Sequence, residues 1–457
     1  MKKKLFILVI SMFLFASISS TAQNYYNKTY NFGAIDHPVA IITDSLENVY
    51  VCGWYEDENN ENQRAFILKT DNNGQEIWRD TLDVPSKYFA LCLTHTGDIA
   101  LAGSQNNRCF LNLRSSQTGM EIWEYEESES DDYWFATVNE VIDSTVYKLH
   151  VVKTKYGPHR IWDYLFDPID GNYLYDYKDI DNTIYGITHT SSLIDHDQVW
   201  SASAYSENNE QMGLIVNQNF RPETSFYWFF NALHIAGVHH YFDNQGCVVR
   251  YFQWSDGEYD MSVLILDYNI YEVWGNSFEI MHDNFSVTGS DKHKNGKFII
   301  TGTIINELAL WFIDHDLTYM EEQIITTQKP RTGIDVIALS SLDMILMGSE
   351  QPNASNNTTD VFLMKLDNNG LVSVIKNKLP DQLSIYPNPA SDKIFIKDNN
   401  HSLQAANAQI LNSMGRTVKT ISNLNSPVSV SDLPSGLYVV VIYSNNKLLY
   451  RKKFIKR

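Results

Sequence analysis

A unit of about fifty residues recurs between Val39 and Asn377, and it narrows the possible folds more than any other property of the chain. Each copy opens with two apolar strand-like runs ending at a small residue. A strand, a polar turn and a strand bearing an aromatic follow. The first copy reads VYVCGW, ending near Gly53, then AFILKTDNNGQEIW, with its turn at Asp71-Asn72-Asn73-Gly74 and its aromatic at Trp78. The second reads IALAG to Gly103, then CFLNLRSSQTGMEIW with Gly119 and Trp123. Taking residues 53, 103, 150, 203, 251, 302 and 348 as equivalent gives steps of 46 to 53. Four short strands per copy at such a period predict an all-β fold, a seven-bladed β-propeller over residues 23–377. One four-stranded sheet cannot bury both faces alone, whereas sheets set radially bury each face against the next and leave no long open edge. Two sandwiches or a β-solenoid are the competing architectures. The ring has to be sealed, and either Tyr25 to Tyr30 (YYNKTY) or Leu371 to Lys376 can supply the last blade's outer strand.

Trp78, Trp123 and Trp274 share one repeat position and are expected to pack between blades. The familiar catalytic signatures are missing: no G-x-S-x-G elbow, no H-E-x-x-H, no phosphate-binding Gly-rich loop and no zinc-type Cys pattern. No cofactor or metal site is expected. The Asp71 and Asp367 turns resemble the start of a calcium loop but lack the later acidic ligand, so they read as hairpin turns. His234, His239 and His240 are too close along one strand for all three to point the same way and hold a metal. Asp195-His196-Asp197 and Asp314-His315-Asp316 fall in turns on the rim. At the ends of the expected innermost strands stand Lys87, Tyr88, Tyr133, Trp134, Tyr185, His234 and Asp335. Aromatic and polar groups converging on one propeller face suit a glycan or a peptide.

The last seventy-five or so residues form a separate pattern. Tyr386-Pro387-Asn388-Pro389-Ala390 opens it, with both prolines fixing φ ahead of a strand whose Ile394 and Ile396 alternate inward. Ser413-Met414-Gly415-Arg416 forms a hairpin turn after Ala408 to Leu411. Leu433-Pro434-Ser435-Gly436-Leu437-Tyr438 leads into a second hairpin, which ends in the basic strand Lys452-Lys453-Phe454-Ile455-Lys456. These runs predict a small Ig-like β-sandwich over residues 383–457 after a linker at 378–382. The segment resembles the type A C-terminal sorting domain of cargo exported by the type IX secretion system of Gram-negative bacteria. That resemblance implies recognition by the secretion machinery, with Pro387, Asn388, Pro389, Gly415, Gly436, Lys452 and Lys453 as its marks, and common removal of the domain after export. The alternative is an ordinary Ig-like binding module. The part ahead of it is then a passenger, which loosely resembles secreted bacterial propellers with G-x-x-x-x-G-W and K-x-D-x-x-G-x-x-x-W patterns, a likeness of fold without a functional signature.

The amino terminus is consistent with export. Lys2 to Lys4, the apolar run Leu5 to Phe15 and the small residues Ser20 and Ala22 make residues 1–22 a signal peptide cleaved before Gln23. No transmembrane segment is expected in the mature chain, and the expected location is outside the cell or on the outer-membrane surface, reached through the periplasm. The net charge of −20 is unevenly spread. Residues 381–457 hold ten Lys/Arg against four Asp/Glu, +6, while the rest without Lys2 to Lys4 holds twenty-two against fifty-one, −29. So acidic a passenger excludes nucleic acid as a partner. Cys52, Cys92, Cys109 and Cys247 are too few for a disulfide scaffold, although a Cys92–Cys109 bridge is open in an oxidising compartment. Non-catalytic binding of a glycan or protein is the favoured role of the passenger. A propeller glycosidase or lyase acting on extracellular polysaccharide competes with it.

Overall fold

A computed structural model describes residues 25–370 and 383–457, apart from 58–62, 129–132, 144–145, 156–158, 185, 196–197, 208–209, 220–224, 232–233, 241–244, 254–258, 267–271, 281, 283–284, 353–357, 399–405, 413–416, 422–423, 425 and 445–446. For some described strands, including all of 186–231, only the backbone is described. The chain divides near residue 373 into two compact units. Every described regular element is a β-strand, and no helix among the described residues is long and apolar enough to cross a membrane.

Among the described residues of the first unit, seven four-stranded antiparallel sheets follow one another. They are sheet 1 (Ile35–Thr81), sheet 2 (Ser86–Glu126), sheet 3 (Tyr133–Ile184), sheet 4 (Gly186–Asn231), sheet 5 (His234–Glu279), sheet 6 (Phe285–Ile325) and sheet 7 (Arg331–Leu366), the last completed by Asn27–Tyr30. The first strand of each sheet lies beside the first strand of the next, and that of sheet 7 lies beside that of sheet 1. These seven are the inner strands. The described cores sit between consecutive sheets: 1 with 2, 2 with 3, 5 with 6, 6 with 7, and 7 with 1. The second and third strands read as near-continuous apolar runs because both of their faces are buried. Phe298–Ile304 and Glu307–Ile313 are examples.

Asn27–Tyr30 supplies the closing strand, pairing antiparallel with Asp360–Leu366. Tyr26 and Tyr30 are buried there, and the Tyr30 hydroxyl donates to the Gly74 carbonyl at 2.7 Å. The competing segment, Leu371 to Lys376, lies outside the described residues. Asp36 fastens the same seam. It accepts the Phe32 and Gly33 amides at 2.9 and 3.0 Å, and its own amide donates to Thr359.

Each inner strand carries a one-residue bulge, at Val39, Phe89, Ala136, Ile187, Ala236, Thr288 and Ile334, 46 to 52 positions apart. Opposite the residue before each bulge stand Gly53, Gly103, Lys153, Tyr205, Arg250, Gly302 and Gly348. The repeat positions of copies three to five are therefore Lys153, Tyr205 and Arg250 rather than His150, Ser203 and Tyr251. Gly recurs in the other four copies because a Cβ there would lie 1.8 to 2.1 Å from an inner-strand carbonyl, that of His37, Lys87, Ser286 or Thr332.

Trp78 and Trp123 do pack between sheets, each against the turn glycine of the next sheet, Gly119 and Gly171, both at positive φ. Their indole N–H groups donate to the Ser116 and Pro168 carbonyls at 3.2 and 3.1 Å. Both are only partly buried. The large fully buried indole is Trp311, which the repeat did not single out. The side chain of Trp274 lies outside the description. All four cysteines are free, and no Cys92–Cys109 bridge forms because the two residues stand at opposite ends of sheet 2.

The second unit is a sandwich of two sheets. One is built from Leu383–Tyr386, Lys393–Asp398 and Val428–Ser429, the other from Ala406–Leu411, Thr417–Ile421, Gly436–Ser444 and Lys447–Lys456. Ile394, Ile410, Val440, Ile442 and Phe454 are buried between them. Residues 413–416, including Gly415, lie outside the description, but Leu411 pairs with Thr417 across them.

Candidate functional site

The bulges place chemically distinct residues at one level of the ring. Two positions before each bulge stand His37, Lys87, Trp134, His234, Ser286 and Thr332. Three residues singled out from the sequence, Lys87, Trp134 and His234, share this level. A fourth, Tyr185, occupies the corresponding sequence position in sheet 4 but lies outside the described residues. His37 belongs with them and was missed, because an isolated histidine in the run IDHPVA carries no sequence signal.

Around Lys87, the His37 and Trp54 side chains form one group. The Lys87 ammonium lies 4.2 Å from the centre of the Trp54 ring, and the His37 imidazole stacks on that ring at 3.6 Å and 17°. His37 Nε2 is 3.7 Å from Glu56 Oε1. Burial lowers the pKa of both His37 and Lys87, and Glu56 opposes the shift in each case. Phe89, the bulged residue of sheet 2, meets the Trp134 ring at 5.7 Å. Tyr133 is covered by Lys153 at 4.7 Å, and Lys153 is itself paired with Glu127.

Tyr88 does not share this level. It is 1% exposed, faces back toward sheet 1, and its hydroxyl accepts from Asn112 Nδ2 at 3.1 Å, so it is a core residue. Asp335 lies three positions further along its strand than the common level. There it joins a second group, with His239, Ser290 and Asp291, on the inner strands of sheets 5 to 7. His239 Nε2 is 2.8 Å from Ser290 Oγ, and His239 Nδ1 is 3.9 Å from Asp291 Oδ1. Asp291 Oδ2 accepts the Ala338 amide at 2.7 Å. Burial raises the Asp335 carboxyl to about 7 and the Asp291 carboxyl to about 6, against the hydrogen bonds from Val336 and Ala338 respectively. Burial lowers His239 to about 4, with Lys292 adding to the shift, so its ring is neutral at pH 7. Asp291 keeps 31% of its side chain open to solvent. Ser290 in contrast is 7% exposed, and 3.9 Å exceeds a hydrogen bond, so the Ser–His–Asp order is here a packing network.

His234 and His239 both face sheet 6, His234 Nε2 reaching the Thr288 carbonyl at 3.2 Å. The bulge at Ala236 shifts the alternation by one, so these two residues, five apart, share a face. The side chain of His240 lies outside the description. No cluster of three or more His, Cys, Asp or Glu able to hold a metal occurs among the described residues. The Asp71 and Asp367 turns use their carboxylates on their own backbones, Asp71 Oδ1 accepting from Asn73 and Gln75 and Asp367 Oδ1 from Asn369. Asp314 does the same with Thr318 and Tyr319.

In the second unit the Pro387-Asn388-Pro389-Ala390 motif grips the carboxyl end of the chain. Asn388 Oδ1 accepts the Ile455 amide at 2.9 Å, the Ala390 amide donates to Ile455, and the Arg457 amide donates to Ala390. Gly436 pairs with Lys456 at the start of the long hairpin, in which Lys452 and Lys453 oppose Val440 and Val439.

Residues 384–457 match the family described as the secretion system C-terminal sorting domain. The chain thus carries the type IX sorting label, which is recognised by that secretion machinery and directs export to the cell surface or secretion. No curated protein matches the chain. Solved structures similar to it include PorZ, a surface component of the type IX secretion system of Porphyromonas gingivalis, at 10% identity over 92% of this chain and 70% of that one, TM-score 0.36. The Dos1 propeller matches at 11% identity over 75% of this chain and 94% of that one, TM-score 0.45. The propeller domain of the Trilobed protease from Pyrococcus furiosus matches at 10% identity over 77% and 100%, TM-score 0.44.

Proposed function

We propose that the chain is a type IX secretion cargo, made with an amino-terminal signal peptide, whose passenger (residues 23–377) is a seven-bladed β-propeller that binds an extracellular glycan or protein without catalysis. One observation carries the reading. A single level of the inner strands of sheets 1, 2, 3 and 5 carries His37, Lys87, Trp134 and His234, with Trp54 against His37 and Phe89 against Trp134. Aromatic faces beside a few fixed polar groups are what a sugar or peptide site requires. The test is the full chain on glycan and protein arrays, beside a Trp134→Ala variant of unchanged circular dichroism. Specific capture that falls at least tenfold in the variant supports the reading, and capture indifferent to the substitution refutes it.

A second reading, a glycoside hydrolase or lyase, is favoured by Asp291 and Asp335. These two inner-strand carboxylates are held part-protonated near neutrality, as acid and base partners in sugar chemistry are. Turnover of a polysaccharide panel that disappears in both Asp291→Asn and Asp335→Asn would replace the binding reading with this one.

A further inference from the structure

The environment of Lys87 points to the kind of ligand this level of the ring accepts. Three well-packed lysines of the first unit are answered by protein oxygens within 2.8 Å: Lys69 by the Ser116 carbonyl, Lys153 by Glu127 and Lys365 by Glu47. Lys87 is half-buried and makes no hydrogen bond or ion pair among the described residues; its ammonium meets only the Trp54 ring. Glu56, the acid whose charge acts on it, is engaged by Gln63 Nε2 at 3.2 Å and lies beside His37. A partly dehydrated cation without an anion has a large part of its interaction energy unspent. Taking up an anion there restores what burial removed. The rest of the passenger is strongly acidic, so this site stands out against the field around it.

We infer that the level of Lys87 binds an anionic sugar, its carboxylate or sulfate on the Lys87 ammonium and its pyranose ring against the Phe89 and Trp134 side chains. The inference rests on the binding reading above and adds the charge of the ligand. Sugar rings present C–H faces that lie on aromatic side chains, while their charged substituents project from the ring edge. One point charge flanked by rings on two neighbouring sheets matches that division, and a lysine accepts carboxylate or sulfate without demanding the paired geometry of a guanidinium. A peptide ligand would need backbone donors and acceptors, for which this level offers side chains instead.

The experiment is calorimetric titration of the full chain with oligogalacturonate, a sulfated oligosaccharide and their carboxyl-reduced and desulfated forms, at two salt concentrations. At least one anionic form is expected to bind tenfold or more tighter than its neutral counterpart, with affinity falling as salt rises. Lys87→Met is expected to lose that preference, and Lys87→Arg to keep most of it with an unchanged circular dichroism spectrum. The carboxyl-reduced and desulfated arms tell which anion is read. Equal binding of neutral and charged forms, or a Lys87→Met protein that retains the preference, overturns the inference while leaving glycan binding in place. Binding of no glycan, with capture of a protein instead, overturns the inference and narrows the broader reading to its protein arm. Binding of neither removes both.

Discussion

Asp335 stands where the other inner strands place Ala40, Ala90, Thr137, Thr188, Gly237 and Gly289, one residue past the bulge. Sheet 6 makes room for it: a Cβ on Gly289 would lie 2.6 Å from Asp335 Oδ1. Burial, with the charge of Asp291 nearby, lifts its carboxyl to about 7 despite the Val336 amide. The unfolded chain releases this proton near pH 4. Between about pH 4 and 7 the folded protein therefore holds a proton that the unfolded one lacks, and stability falls as pH rises through that window. Asp335→Asn, which keeps an acceptor but cannot ionise, should flatten this decline, leaving the slope due to Asp291 and to Asp36, whose carboxyl burial likewise raises to about 7, and raise the urea midpoint at pH 8 relative to pH 5. An equal change at both pH values would show that Asp335 is not the titrating group. The sequence marked Asp335 as functional by its place near the start of a strand. It did not give the depth, because a bulge adds a residue without leaving a mark of its own.

The bulge is also why the element scale was only partly legible. Four of the seven copies announce it through the glycine that its carbonyl demands: Gly53, Gly103, Gly302 and Gly348. The bulged residues themselves are as different as Phe89, Ala136 and Thr288, since the constraint acts on the backbone and leaves the side chain free. Where Lys153, Tyr205 and Arg250 replace the glycine, spacing alone set the register, and it slipped by one to three residues. The closing strand was legible as one of two candidates for the last blade's outer strand, but nothing local chose between Tyr25 to Tyr30 and Leu371 to Lys376, because contacts over three hundred residues leave no local trace. Its contribution can be measured. Removing residues 23–30 exposes the ladder edge of Asp360–Leu366 and the apolar surface that Tyr26 and Tyr30 cover. The cost should be about 3–6 kcal/mol, on the order of two buried aromatics. A peptide of residues 23–33 added in excess should restore part of the lost denaturation midpoint. A truncated chain that melts with the intact one would show that the ring does not depend on this strand.

At the scale of the whole molecule, the two units differ in what their sequences had to specify. The sorting unit was readable because its marks are backbone devices with fixed chemistry. Asn388 and Ala390 hold Ile455 and Arg457 by main-chain hydrogen bonds, so the motif that opens the unit and the strand that ends the chain form one structure. The cluster at the passenger's common level was not readable in this way, since His37, Trp54 and Lys87 come from strands of two sheets and become neighbours only when the sheets pack together. Each unit has its own core: Ile394, Ile410 and Phe454 in the second, the cores between consecutive sheets in the first. Deleting residues 383–457 should then leave a passenger whose circular dichroism spectrum and thermal midpoint match those of the passenger transition in the full chain, but which stays in the periplasm. Asn388→Ala should act on the same function more gently, losing about 1 kcal/mol from the sorting unit alone by removing one hydrogen bond to Ile455. Fractionation separates the outcomes: a deleted chain that still reaches the medium would mean that export does not depend on this label. A deleted chain that is retained because it aggregates would mean that the first unit leans on the second for its fold.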